Sequence, residues 1–304
     1  MDPLSEVLSL LSTQSSFFGG LKAGGDWVVR FPAPDGIKFN AVVHGACWLA
    51  MKGAEHPIRL EAGDCFLVSR SGPVLIGSDL SSPAVDAEDL YRDAVNDIAH
   101  YGNAEDCFLI GSRFTFGGEA DLLLDSLPAI IVVKSDSDQA AVLRWALQRL
   151  AHELASPSPG SALVTQHLGH LMLVQVLRIY LAGEGSGTPS WLAALAEPCI
   201  STAIQAIHTD PTKRWTVQAL AQVAGVSRST LALRFKQVAG LPPLEYVLRW
   251  RIHLATRSLR KDHLTISSIA QALGYESDSA FSSAFKRIMK CSPRDYRNRL
   301  ATGT

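Results

Sequence analysis

The stretch Gly274-Tyr275-Glu276-Ser277-Asp278-Ser279-Ala280-Phe281-Ser282-Ser283-Ala284-Phe285-Lys286-Arg287 decides the fold, because it is the second copy of a pattern. The first copy reads Ala221-Gln222-x-x-Gly225-x-Ser227-x-Ser229, then Phe235-Lys236, Pro243 and Tyr246. The second reads Ala270-Gln271-x-x-Gly274, then Ser277-x-Ser279, Phe285-Lys286, Pro293 and Tyr296. The offset is 49 residues up to the glycine and 50 after it, with Glu276 as the extra residue. Self-similarity at a fixed period marks a repeated structural unit.

Each copy predicts helix, tight turn, helix. In the first, Thr216 caps a helix that carries Leu220, Ala221 and Val223. Gly225 ends it by taking the left-handed conformation. Ser227 then starts a second helix by offering its hydroxyl to free backbone N–H groups. Thr265, Gly274 and Ser277 repeat these parts. Two helices joined through a short glycine turn make a helix-turn-helix.

At about 100° per residue, the second helix of each copy separates two faces. Leu231, Phe235 and Val238 form an inner stripe, matched by Phe281, Phe285 and Ile288. The outer side carries Ser229, Leu233 and Lys236 in copy one, and Ser279, Ser283 and Lys286 in copy two. With their neighbours Arg228, Ala232, Ser282 and Arg287, these are the candidate DNA-binding residues. Long cations there would reach phosphates, and short side chains would meet base edges. A solvated helix face is the plain alternative for one such helix; the duplication favours the DNA reading.

Gly274-Tyr275-x-Ser277-x-Ser279-x-Phe281-x-x-x-Phe285-Lys286-Arg287, followed by Ser292-Pro293-x-x-Tyr296-Arg297, resembles the signature of the AraC/XylS transcription regulators over roughly residues 200–300. That resemblance implies a two-headed all-helical domain that binds double-stranded promoter DNA. It also implies a homodimer and activation rather than repression, with RNA polymerase as a further partner. Three positions depart from the family pattern. Ser283, and often Leu233, stand where a basic residue is common, and Cys291 is read as standing where glycine is usual.

Charge supports the division of labour. Residues 200–304 hold 16 Lys+Arg and 6 Asp+Glu, a balance of +10, whereas residues 1–199 hold 12 and 23, a balance of −11. Neutralising phosphates supplies much of DNA affinity, so the basic third suits a polyanion. The acidic remainder is repelled by one.

At 304 residues, 47% apolar and 19% charged, the chain predicts two globular domains. No apolar run is long enough to span a bilayer, and no basic leader opens the chain, so a cytoplasmic protein without membrane contact is expected. Residues 2–11 read as a short helix. Residues 27–80 alternate short apolar runs with glycine breaks: Trp27-Val28-Val29, Phe39 to Val43, Cys47-Trp48-Leu49 and Cys65 to Val68. Close-spaced short strands predict a small barrel or sandwich. Phe108-Leu109-Ile110 and Phe114-x-Phe116 continue it; residues 81–106 read as a loop or loose helix.

The order of these runs, with Leu60-x-x-Gly63-Asp64-x-x-Leu67-Val68, resembles the cupin-like sensor domain that precedes some AraC-type DNA-binding domains. The expected fold class is therefore α+β: a cupin-like β-barrel with flanking helices, then an all-α double helix-turn-helix domain. The expected boundaries are 1–185 for the regulatory and dimerisation domain, 186–198 for a linker that begins within the flexible stretch Gly183 to Pro189, and 199–304 for the DNA-binding domain. The barrel is expected to take an unidentified small-molecule effector, with His44, Trp48, Arg59 and Arg70 as candidate lining residues. No cofactor is expected. A metal is not expected either, because Ser69 to Val74 offers no His where a cupin ligand belongs, and His44 and His56 stand alone.

Residues 139–154 and 161–182 predict two amphipathic helices, striped by Val142, Leu143, Ala146, Leu147 and Leu150, and by Leu163, Leu168, Leu171, Val174, Leu177 and Tyr180. They would dock on the barrel or pair across a two-fold axis. Leu244 to Leu259 predicts one helix joining the two repeats, with Arg249, Arg251, Arg257 and Arg260 largely outward. Five cysteines, odd in number and without C-x-x-C, argue against a disulfide or zinc framework. For Cys47, Cys65 and Cys107, inert buried thiols are the ordinary outcome and an oxidant-sensing cluster the alternative. No nucleotide, zinc-protease or hydrolase motif is present. Two competing readings are a metal-dependent cupin enzyme with an appended helical domain and a DNA-binding dimer that needs no effector.

Overall fold

Strand alternation and helix capping, both readable locally, produce eleven strands and twelve α-helices among the residues that the computed structural model describes: 3–10, 14–34, 36–51, 56–69, 72–115, 127–183, 190–260 and 264–302. Two compact units result. The strands and the helices up to residue 183 make one. The helices from residue 190 onward, with the N-terminal helix α1 (Pro3–Leu10), make the other.

The first unit begins with β1 (Gln14–Ala23), β2 (Val28–Phe31), β3 (Ile37–His44), β4 (Ala46–Met51), β5 (Ile58–Glu61), β6 (Cys65–Val68) and β7 (Val74–Gly77). It continues with β8 (Val85–Asp86), α2 (Ala87–Arg92), β9 (Ile98–Tyr101), β10 (Cys107–Thr115) and β11 (Ile130–Val133). One sheet has the order β11-β6-β3-β10-β1-β9 and the other β5-β4-β7-β2-β8. Leu21, Val42, Phe66 and Leu109 from the first meet Val29, Leu49, Leu60 and Ile76 from the second in a single buried core.

Asp64 pins the turn between β5 and β6, where the chain passes from one sheet to the other. Its carboxylate is 2% exposed and accepts from Lys134 Nζ at 2.7 Å, Ser135 N at 2.8 Å and Glu61 N at 2.9 Å. The loop or loose helix expected over 81–106 holds a short helix, α2, between two strands that were not expected, β8 and β9, with β9 pairing parallel to β1. The β1 segment, Gln14 to Ala23, carries Gly19-Gly20 where a strand would show branched residues, so propensity concealed it. Phe116 lies outside the described residues, as do Arg70 and residues 184–189.

Two helices complete this unit, α3 (Ala141–Ala155) and α4 (Ser161–Ala182). Leu143, Ala146, Leu147 and Leu150 are buried as their spacing predicts, but Val142 is exposed. In α4 the buried face is Leu168, Met172, Leu173, Val176 and Leu177, while Leu163 is exposed and Leu171 and Val174 are half-buried. The expected stripe is therefore rotated. This helix is apolar around most of its circumference, so spacing alone did not select a face.

The second unit consists of α5 (Trp191–Ala196), α6 (Pro198–Thr209), α7 (Val217–Val223), α8 (Arg228–Ala239), α9 (Pro243–Leu259), α10 (Ile266–Ala272), α11 (Asp278–Met289) and α12 (Pro293–Thr302). Helix α9 serves two cores. Its N-terminal half buries Tyr246, Val247 and Trp250, and its C-terminal half adds Ile252, Ala255 and Leu259 to a cluster with Ile269, Ala270, Phe281 and Phe285.

Candidate nucleic-acid interface and barrel cavity

The capping pattern read from the sequence is realised in all four helices of the repeat. Thr216 Oγ1 accepts from Ala219 N at 3.0 Å, and Ser227 Oγ from Thr230 N at 3.1 Å. Thr265 Oγ1 accepts from Ser268 N at 3.0 Å, and Ser277 Oγ from Ala280 N at 3.2 Å. Each such cap contributes about 1 kcal/mol. Between the helices, Gly225 and Gly274 have φ of +68° and +74°.

These caps set α8 and α11 so that Leu231, Phe235, Phe281 and Phe285 are buried at 0% exposure. Ser229, Leu233 and Lys236 are then exposed on α8, and Ser279, Ser283 and Lys286 on α11. Arg228 is also exposed, whereas Ala232 and Ser282 sit half-buried at the edge of the face.

Ion pairs sort the cations. Arg234 pairs with Glu197 at 3.4 Å, Arg287 with Glu245 at 2.8 Å, and Arg214 with Glu276. Among the described residues, Arg228, Lys236 and Lys286 have no such carboxylate. Arg287, chosen with the others from sequence, is thus tied to the start of α9.

A joint between the two heads also emerges. Arg251, expected to point outward, turns inward: its guanidinium donates to the carbonyls of Pro211 at 2.6 Å, Thr212 at 3.2 Å and Lys213 at 2.9 Å. The Gly274 turn packs against the same loop, where a Cβ would stand 2.5 Å from the Thr212 carbonyl oxygen. Periodicity could not show this, because the partner carbonyls lie about forty residues away in sequence.

In the first head Tyr246 OH accepts from Trp191 Nε1 at 2.8 Å and contacts His208 Nε2 at 2.7 Å. His208 stacks on Trp250 with centroids 3.5 Å apart, and Trp250 stacks on His253 at 5.6 Å. Burial pulls both imidazoles down, His208 to about 3 and His253 to about 4, so both are neutral at pH 7.

In the first unit a cavity of about 380 Å³ opens between the two sheets. Leu21, Phe31, Ile76 and Leu109 supply apolar wall, and Lys38, Asn40 and Arg113 supply polar groups. Lys38 Nζ lies 3.7 Å above the Phe31 ring. Burial, with Arg113 beside it, lowers the Lys38 ammonium to about 7.

Of the residues expected to line a cavity, His44, Trp48 and Arg59 do not line this one. Trp48 faces away from buried Cys47 and Leu49, and pairs across strands with Arg59, whose guanidinium is 5.9 Å from its ring. Arg59 also pairs with Glu61 at 3.2 Å, and His44 is exposed beside Phe108. The barrel histidines and arginines drew attention by chemical type, whereas Lys38 and Arg113 become neighbours only through the register of β3 and β10. Cys47, Cys65 and Cys107 are all buried. Burial pushes Cys65 up to about 12, and a thiol–thiol contact with Cys107 together with burial raises Cys47. Among the described residues no group of three His, Cys, Asp or Glu side chains gathers where it could hold a metal ion.

Comparison with known proteins joins the two units. Residues 2–182 match the cupin family model, and residues 220–299 match that of the helix-turn-helix domain. An AraC-like transcription regulator of Streptomyces lividans is 47% identical over 298 residues, covering 98% of each chain. The chain belongs to the AraC-like transcription regulators. An AraC-like relative from Streptomyces antibioticus is 44% identical over 298 residues, again 98% of each chain. The crystal structure of ToxT from Vibrio cholerae is similar with a TM-score of 0.38 and 13% identity, covering 95% of this chain and 98% of that one. In this AraC-like regulator the repeat is accordingly a DNA-binding domain. The position read as a missing glycine also needs correcting. The 50-residue offset sets Lys290, not Cys291, opposite Gly240, and both cap their helices in the left-handed region, at φ +59° and +76°.

Among the described residues no helix is long and apolar enough to cross a membrane.

Proposed function

We propose that this regulator acts in the cytoplasm as a homodimer that places α8 and α11 of each subunit in successive major grooves of promoter DNA. In this reading it activates transcription through RNA polymerase, and a small molecule in the barrel cavity biases its DNA binding. The observation that carries the DNA reading is the sorting of cations: Arg228, Lys236 and Lys286 are exposed and unneutralised on equivalent helices, while neighbouring arginines are tied to carboxylates. Lys236 and Lys286 would meet phosphates. Ser229, Ser279, Ser283 and the 60%-exposed Leu233 would face base edges, Leu233 suiting a thymine methyl. Ala232 and Ser282 would flank the contact, and Arg287 would join it on release from Glu245.

A second copy is favoured as the dimer partner by an apolar surface on α3 and α4. Val142 and Trp145 lie one turn apart and are 41% and 57% exposed, and Leu163 and Val164 are 59% and 39% exposed. An effector would act by binding one arrangement of the domains better than another.

The test is DNA selected from a random pool, with affinity then measured against salt. Lys236→Ala and Lys286→Ala should each weaken binding on every sequence and flatten the slope of log K against log salt by about 0.9. An unchanged slope in both variants would remove these lysines from the interface.

A further inference from the structure

The barrel cavity carries an unresolved charge problem. Lys38 on β3 and Arg113 on β10 are register partners in an antiparallel pair, so their side chains leave the same face of the sheet side by side. Like charges directly opposite destabilise a sheet. Among the described residues neither has an ion-pair partner. Glu88 and Asp97, the acidic residues that also border the cavity, are exposed at its rim and neutralise neither. The recorded neighbour of the Lys38 ammonium is the face of Phe31, which Tyr91 meets edge-on at 6.5 Å.

Two residues along β3, on the same face, Asn40 is 5% exposed, and its Nδ2 is buried with no hydrogen-bond partner. Its register partner is Gly111, where a Cβ would stand 2.9 Å from Asn40 Oδ1. Gly19 in turn pairs with Gly111, so this part of the wall has no side chains to fill it. A row of donors therefore stands along one floor of the cavity: an ammonium, an amide N–H and, at the mouth, a guanidinium. Buried donors are almost always satisfied, and an orphan at a cavity wall points to a missing acceptor. The remaining wall is mainly apolar, with Ser112 on the same strand as Arg113 and the two carboxylates at the rim.

We propose that the cavity binds a small organic monocarboxylate, its carboxylate between Lys38, Arg113 and Asn40 and its hydrocarbon body against Leu21, Phe31, Ile76 and Leu109. This deepens, and rests on, the reading that the barrel takes an effector. The carboxylate cancels the repulsion of the cross-strand cations and accepts from Asn40, while the volume admits a compact aromatic or medium-length chain.

Calorimetric titration of the full-length protein with octanoate, benzoate, their neutral primary amides and inorganic phosphate tests this. The acids are expected to bind at least tenfold more tightly than the matched amides, and phosphate alone to bind weakly. Lys38→Met and Arg113→Gln should each lower acid affinity at least tenfold. Both should melt higher than the parent without ligand, because the like-charge pair is gone. Amides binding as tightly as acids would overturn the carboxylate assignment and leave the effector cavity standing. No binding by any of these compounds would overturn the carboxylate assignment and the effector reading of this cavity together. Phosphate binding as tightly as the acids would overturn the monocarboxylate in favour of an inorganic anion. Unchanged acid affinity in a folded Lys38→Met and Arg113→Gln would place the ligand elsewhere.

Discussion

The two helix-turn-helix heads share caps, glycine turns, inner stripes and the exposed Ser229/Ser279 and Lys236/Lys286 pairs, yet differ in their helix ends, in one exposed position and in what braces them. The first head ends its reading helix with Gly240, and the second with Lys290 in the same left-handed conformation. The first presents Leu233 where the second presents Ser283. A Cβ on the first turn glycine, Gly225, would meet nothing within 4 Å, whereas one on Gly274 would strike the Thr212 carbonyl oxygen. Only the first is braced by the His208–Trp250 stack. Duplication thus preserved what each head needs to fold alone. It let diverge what depends on the other head, and one exposed position, Leu233 against Ser283.

The sharpest way to separate the heads is pH. His208 and His253 are 6% and 5% exposed and have folded pKa values lowered to about 3 and about 4, against about 6.5 unfolded. Below pH 6.5 the unfolded chain binds protons that the folded one excludes, so stability falls with acidification. The loss is about 4 kcal/mol between pH 7 and pH 5 for the pair. Hydrogen exchange at the two values should show the first head opening before the second. Equal loosening would remove the stack from the account.

Next in size is the turn. Gly274→Ala should cost about 3 kcal/mol, combining the left-handed penalty with overpacking against Thr212, whereas Gly225→Ala should cost about 1 kcal/mol. Urea unfolding of both variants reads the difference. Equal costs would mean that the inter-head joint contributes nothing.

A smaller effect is expected on specificity. Leu233→Ser, which makes the first helix resemble the second, should relax the preference at one base pair by about 1 kcal/mol and leave the salt slope unchanged. Repeating the random-pool selection would show it. The smallest effect is at the cap: Lys290→Gly should raise stability by about 0.5–1 kcal/mol, because glycine adopts φ near +59° without a Cβ penalty. A drop in melting temperature would show that the Lys290 Nζ bond to the Arg287 carbonyl, at 3.0 Å, matters more than the backbone.

Legibility followed the range of the interactions. Thr216, Ser227, Thr265 and Ser277 could be read as caps because a cap bonds a backbone group three residues ahead. The inner stripes were legible for a related reason, since 3.6-residue periodicity is local. The barrel showed β2, β3, β4, β6 and β10 as apolar runs, but not β1, whose Gly19 leaves room in the cavity that lies over it. His44, Trp48, Arg59 and Arg70 stand out in the sequence by their chemistry, though no spacing relates them. Lys38 and Arg113 escaped notice because seventy-four residues separate two side chains that one strand register sets together.

From its sequence alone this chain declared a duplicated helical head, a basic DNA-binding third and a β-rich N-terminal domain, because capping, periodicity and net charge are properties of neighbours along the chain. Which cations stay free, how Arg251 and Gly274 lock one head to the other, and where two like charges share a cavity floor were decided only in three dimensions. Those are matters of packing and strand register, and they depend on distances that the order of residues does not contain.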